Sequence, residues 1–401
     1  MAIKAGEILH SVHGFVIDRI QTAGIGNLNI PEEKVYELGN YQTVATVRDI
    51  PDLSFDMESF DVSTEVEAIL TNTDPTAVVD GDEFDFGNSI PLNVISPFKA
   101  GGTSFAIVRG IAVPHLTLER VTYRFGLRQN STQSFTLRGD SVYYIPGSPR
   151  QQSYTNIGTG TYNFTDTAIV FQENGNNIYA LSVCLYDSTT NAYKRLFFGD
   201  DYTNTSAGFT LLEDLSATYD TIRVVYGTAT ADSYPQTVHQ TASVKPAAVR
   251  GKDIDVYLGT SDATPVFSRW RGVQSVEVTR SVNIENDEEF GNEHFVDSGY
   301  DTSDVTGSIT MKPTDAEALW TKIAEVADVP TNEIVGPQTS TFLPMEIRIS
   351  DPDTGVVLKT LYVPDARFQI PGVQGRVQTK TETTFNFTSD GGSLLVYAGE
   401  R

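Results

Sequence analysis

The chain has 401 residues, with 52 acidic against 28 basic side chains and a formal charge of −24. That length implies two or three domains, and the charge excludes a protein whose task is to grip nucleic acid, since such affinity comes largely from neutralising phosphates. A single cysteine, Cys184, allows neither an internal disulfide nor a cysteine-based zinc cage within one chain.

The chain opens Met1-Ala2-Ile3-Lys4-Ala5-Gly6-Glu7, without a basic stretch followed by an apolar one, and no apolar run reaches the roughly 20 residues of a membrane helix. The expectation is a protein that folds and assembles inside a cell. Runs of Val, Ile, Tyr, Phe and Thr broken by Gly, Asp, Asn and Pro recur throughout, the pattern of a mainly β chain. Residues 1–150 read as a first domain: two strands, a long loop at 37–53, a strand at Ser54-Phe55-Asp56-Met57, a short helix, and about four more strands. The helix carries Val62, Val66 and Ile69 along one face.

Residues 151–245 read as an inserted immunoglobulin-like β-domain. Strands are expected at 168–172, 178–185, 194–198 and 221–226, with turns at 173–176 and 199–201 and linkers at 147–152 and 245–250. Residues 246–401 then repeat the first domain. Glu37-Leu38-Gly39-Asn40 returns as Glu289-Phe290-Gly291-Asn292, 252 residues on, and Leu28-Asn29-Ile30 as Val282-Asn283-Ile284, 254 on. Ser54-Phe55-Asp56-Met57 matches Ser308-Ile309-Thr310-Met311, and the helical stripe returns as Ala316, Trp320 and Ile323 behind the capping box Thr314-Asp315-Ala316-Glu317. Ile90-Pro91-Leu92-Asn93-Val94 is echoed by Leu343-Pro344-Met345-Glu346-Ile347, Val113-Pro114 by Val363-Pro364, Phe135-Thr136-Leu137 by Phe385-Asn386-Phe387, and Val142-Tyr143 by Val396-Tyr397. The order never changes and the offset stays between 250 and 254. Each copy is expected to form a β-sandwich or barrel with one helix packed on it.

On these residues, each copy resembles the tube domain of tailed-virus tail tube (major tail) proteins, over about residues 17–143 and 256–397. The whole chain is similar to the duplicated type found in some long non-contractile tails. The likeness rests on order and spacing, not on a signature motif. It implies homotrimers forming pseudo-hexameric rings, stacked into a tube through which DNA passes without specific binding. It further implies a structural virion protein of the tail, assembled in the host cytoplasm, with tape-measure, tail-terminator and baseplate proteins as partners, and with no enzymatic activity, cofactor, metal or membrane. The loops at 37–53 and 289–305 would reach the neighbouring ring, with Gly39, Asn40, Tyr41, Val44 and Val47 in one and Gly291, Asn292, Phe295 and Tyr300 in the other. The middle segment is similar to the family's decoration domains, although the family usually places the extra domain after both copies. Acidic residues on inward strands would keep DNA off the wall by like-charge repulsion.

Signatures of chemistry are sparse. The histidines His10, His13, His115, His239 and His294 are scattered and read as surface residues, without an HExxH frame. No GxSxG elbow or phosphate-binding loop occurs, and Gly158-Thr159-Gly160 reads as a turn. The acidic runs at 80–85 and 285–289 lack EF-hand spacing and read as solvated loops. The alternative is a secreted or surface glycan-binding β-domain protein, which would need a secretion route and an aromatic-lined pocket; the tryptophans are Trp270 and Trp320.

Overall fold

Strict alternation of apolar and polar residues makes a strand half-buried, and such strands dominate this chain. A computed structural model describes residues 11–17, 20–36, 43–60, 63–99, 107–127, 129–155, 157–158, 160–173, 175–230, 249–260, 264–289, 294–312, 321, 342–369, 373–374, 382–389 and 391–401. The protein is mainly β. Asp52–Ser59 reads buried at every second position, placing Leu53, Phe55 and Met57 in the core and Ser54, Asp56 and Glu58 opposite.

The N-terminal part is a sandwich of two antiparallel sheets. One contains Phe15–Val16, Ser11–Val12, Leu92–Lys99, the first half of Ile107–Gly126, and Tyr143–Ile145. The other contains the second half of Ile107–Gly126, then Thr132–Gly139, Asp52–Ser59 and Ile20–Asn29. The long strand Ile107–Gly126 therefore serves both sheets. It turns the corner at Pro114-His115, where His115 sits at φ +57°, a bulge of the kind that lets one strand change sheets. The helix Glu65–Leu70 packs on this sandwich and adds Val66, Ala68, Ile69 and Leu70 to its core. Glu65 and Glu67 suit its N-terminal turn, and Asn72 at φ +58° ends it.

The C-terminal part is wired the same way. Ser268–Trp270 pairs with Ile254–Leu258, which pairs with Leu343–Ser350, then Val357–Phe368, then Leu395–Ala398. Val357–Phe368 also pairs with Glu382–Ser389, followed by Asp297–Met311 and Val273–Asp287. The register corrects two of the sequence matches. Phe135 faces Met57 and Phe385 faces Ile309, so Met57 corresponds to Ile309, 252 residues on, and not to Met311. The bulge between Leu92 and Val94 recurs between Leu343 and Met345, an offset of 251 where Pro91 and Pro344 suggest 253. Both errors are slips of two, which keep each residue on its own face and so leave the hydrophobic pattern unchanged.

The middle part has its own core, with Phe164 stacked on Tyr226 at 4.4 Å and Tyr162 on Phe209 at 5.1 Å. Its larger sheet runs Ser148–Tyr154, Thr221–Thr228, Ala180–Tyr186, Tyr193–Leu196. Ser148–Tyr154 covers most of the stretch expected as a linker at 147–152, and the expected boundary between residues 150 and 151 falls inside this strand. Its Gln-Gln-Ser composition is polar because much of the strand is only half-buried, which is why it resembles a loop. The expected strand at 168–172 is observed as Phe171–Glu173, hairpinned to Asn176–Ile178 through Gly175 at φ +79°.

Candidate functional site

The feature that extends beyond a single domain is a continuous sheet. The second half of Ile107–Gly126 pairs antiparallel with Val273–Asp287, from Ser275↔Gly126 to Ser281↔Arg120. This joins one sheet of each repeat into one wall of eight strands. The order is Ile20–Asn29, Asp52–Ser59, Thr132–Gly139, Ile107–Gly126, Val273–Asp287, Asp297–Met311, Glu382–Ser389 and Val357–Phe368. Val373–Gln374 extends the last edge.

One face of this wall is the core and the other is hydroxyl-rich. A single row crosses it from edge to edge: Thr22, Glu58, Ser134, Thr122, Thr279, Thr306, Thr388 and Arg367. Thr122 and Thr279 meet at 3.0 Å across the seam between repeats, and Thr310 meets Thr384 at 3.1 Å. Carboxylates on this face (Asp52, Asp56, Glu58, Glu277, Asp304, Glu382) are set against Arg120, Arg124 and Arg138. Arg124 pairs with Glu277 and Arg138 with Asp52, both at 3.3 Å. These carboxylates outnumber the arginines, so the face is acidic in balance. The alternation that makes these strands placed Thr and Ser there, and most of the chain's acidity lies elsewhere. On the core face Gly307 makes room for a ring, since a Cβ there would lie 2.2 Å from Phe387 Cζ.

The two edges are open among the described residues. Ile20–Asn29 pairs only with Asp52–Ser59, and Ile25, Leu28 and Ile30 are each more than a third exposed. An apolar, unpaired edge is a template for another chain.

The seam between repeats is locked by a buried polar group. The Lys359 ammonium donates to Glu67 Oε1 at 2.6 Å and to Gln133 Oε1 at 3.0 Å, and the Tyr123 hydroxyl donates to the same Glu67 oxygen at 2.7 Å. Glu83–Asp85, part of the acidic run expected as a solvated loop, is instead a strand on Leu395–Ala398, with the Tyr397 hydroxyl on Glu83 at 2.5 Å. The run at 285–289 likewise begins inside the strand Val273–Asp287.

The loop residues divide unequally. Gly39, Asn40, Tyr41, Gly291 and Asn292 lie outside the described residues, as do Val62, Ala316, Trp320 and Ile323 of the helical stripes; Val66 and Ile69 lie in the main core. Val44 and Val47 belong to Thr43–Arg48, which pairs with Glu32–Tyr36 as a separate two-stranded arm. The expected long loop is therefore largely a β-ribbon. The second loop is shorter than expected, because 297–305 continue the strand Asp297–Met311.

Described residues of that second loop are tied to the rest of the chain. Tyr300 bonds to Ser89, the Phe295 amide donates to Asp140 Oδ2 at 2.8 Å, and Arg195 donates to the Phe295 carbonyl at 3.1 Å. Arg195 and Asp140, both nearly inaccessible, pair at 2.6 Å, with His294 3.5 Å away. Burial would push the Asp140 carboxyl up, but Arg195 and then His294 hold it far below the usual carboxylate range. One cluster thus joins all three parts of the chain. The middle part is docked on the N-terminal one through Ile95, Ala112 and Ile145 against Ile178, Leu181 and Val225.

Next to it, His115 touches Tyr193 Oη, Ser182 Oγ and Cys184 Sγ. A cysteine beside a histidine suggests a nucleophile, but burial pushes the Cys184 thiol up and the His115 imidazole down. The adjoining cavity of about 10 Å³ holds at most a water. His13 and His115, expected at the surface, are both buried, and His13 packs edge-on against Tyr186 at 5.6 Å. Nothing in their spacing signals this, because they meet at Asn93, whose amide donates to His13 Nδ1 and whose Oδ1 accepts from the His115 amide, and are covered by the distant middle segment.

No protein-family model and no curated protein matches the chain. A solved structure, "Cryo-EM structure of the anti-feeding prophage (AFP) baseplate, 6-fold symmetrised", is similar over 36% of this chain and 92% of its own, at 12% identity and a TM-score of 0.26. That score is too low to assign a function, which is read instead from the strand pairing.

Proposed function

We propose that this chain is a structural protein of a viral tail tube, in which residues 1–150 and 246–401 are two tube-type domains and the middle segment is a third, docked on the outside of the first. Three copies close into a pseudo-hexameric ring, and rings stack into a conduit for DNA. The observation that carries this reading is the hydrogen-bonded seam between the two repeats. One repeat already joins the next by edge pairing, and the same two kinds of edge remain open at the ends of the eight-stranded wall. A head-to-tail contact repeated between like units closes into a ring when its rotation permits.

Three copies would contribute about 24 strands, and a barrel of that number has a backbone diameter of roughly 48 Å at about 4.8 Å strand spacing and about 40° tilt. The hydroxyl-rich face would then line the channel. Its carboxylates outnumber its arginines, so it offers a sliding duplex no net attraction. The protein acts without catalysis or cofactor in this reading. Its partners are its own copies and the tape-measure, terminator and baseplate proteins at the ends of the tube. Its place is the virion tail, after assembly in the host cytoplasm. Negative-stain micrographs of the purified chain across a range of concentrations test the proposal: rings or tubes with a central hole are expected, and dispersed monomers at every concentration would reject it.

A further inference from the structure

We infer that neighbouring copies of this chain dock in one defined register, with Val373 of one copy opposite Ile25 of the next. The inference rests on the tube reading and deepens it by naming the partner surface. Within the chain, Tyr123 faces Val278 across the seam. Tyr123 pairs with Gln133, and Val373 with Thr383; the offset is 250 for both strands, so Val373 stands where Tyr123 stands. On the other side, the bulge between Ile20 and Thr22 recurs between Val273 and Ser275. With Phe55 matched to Gly307, Ile25 stands where Val278 stands. The register of the internal seam therefore carries over to the seam between chains.

The chemistry agrees with that placement. Val278 is fully buried by its neighbour, whereas Ile25, the same kind of residue at the same register, is 37% exposed. One position further, the internal ion pair Arg124–Glu277 becomes Gln374 opposite Gly24, so the seam between chains does without that pair. A second observation points to the same partner. Phe98 faces Arg109 just before a bulge, as Ile349 faces Lys359, so Arg109 occupies the position of Lys359. Lys359 is satisfied by Glu67 of the adjoining repeat. The Nε of Arg109 is buried with no hydrogen-bond partner among the described residues. The residue as a whole is only part-buried, which leaves the rest of its side chain to the C-terminal repeat of a second copy.

The test is cross-linking in a Cys184→Ser background, after confirming that this parent still assembles. Ile25→Cys with Val373→Cys places the two thiols on directly opposed residues, within disulfide reach. Ala23→Cys with Val373→Cys places them on a diagonal about 7–8 Å apart, beyond it. Mild oxidation is expected to yield two- and three-chain species from the first pair, at least tenfold more than from the second. Rings that cross-link better through the second pair, or through neither, would overturn the register and leave the tube reading standing. A parent that never assembles would remove both. Amide exchange in the unaltered protein gives an independent check: residues 20–29 are expected to exchange at least tenfold more slowly in rings than in single chains. Equal rates would overturn the inference.

Discussion

Lys359 and Glu67 are 292 residues apart in sequence and form one ion pair inside the molecule. Both side chains are almost completely inaccessible, at 1% and 0%. Removing charges from water is costly, so such a pair is worth little against an apolar replacement, while losing one partner strands the other. Lys359→Met is therefore expected to lower unfolding stability by about 3–5 kcal/mol, and Lys359→Met with Glu67→Leu to recover most of that loss. Urea unfolding of the three proteins checks this, and equal losses in the single and double variants would contradict it. The pair was illegible in the sequence, where Glu67 reads as one of many acids and Lys359 as an ordinary strand lysine. The same holds for Asp140 and Arg195, which meet only because the middle part folds back onto the first. His13 was misread for a related reason: a residue becomes buried through what packs on it, and besides Asn93 the residues covering His13 and His115 lie in Ala180–Tyr186 and Tyr193–Leu196.

Strands were the legible elements. Alternation marked Asp52–Ser59 and Glu382–Ser389 correctly because each has one wet and one dry face. The same period of two allowed the repeat to be aligned two residues out, and only the pairing register removes that ambiguity. Ser148–Tyr154 was missed because its polar residues carry no such signal. The loops were the least legible. Both were expected to reach the next ring, yet Phe295 and Tyr300 are bound within the chain, while Glu32–Tyr36 and Thr43–Arg48 form an arm of their own. The difference lies in neighbours: the second loop meets the middle part, and the arm pairs with no other described strand. If the arm makes the contact between rings, replacing residues 32–48 with a short turn should leave rings of normal size that fail to stack. Tubes of normal length from that variant, seen in micrographs, would remove the stacking role.

At the scale of the whole molecule, two sandwiches share one continuous wall, and a third unit is fastened to them by the Asp140–Arg195 cluster. The formal charge of −24 suits solubility at high concentration, and the open face of the wall sets carboxylates and arginines among its hydroxyls. The central claim is that this wall continues from chain to chain around a hole. A cryo-EM reconstruction of the assembled protein tests it most directly. The expected map has three chains per ring, with each Ile20–Asn29 hydrogen-bonded to the C-terminal repeat of its neighbour and the Thr122–Thr279 row facing an open channel. A map in which that strand faces solvent, or in which no channel runs through the ring, would contradict the account.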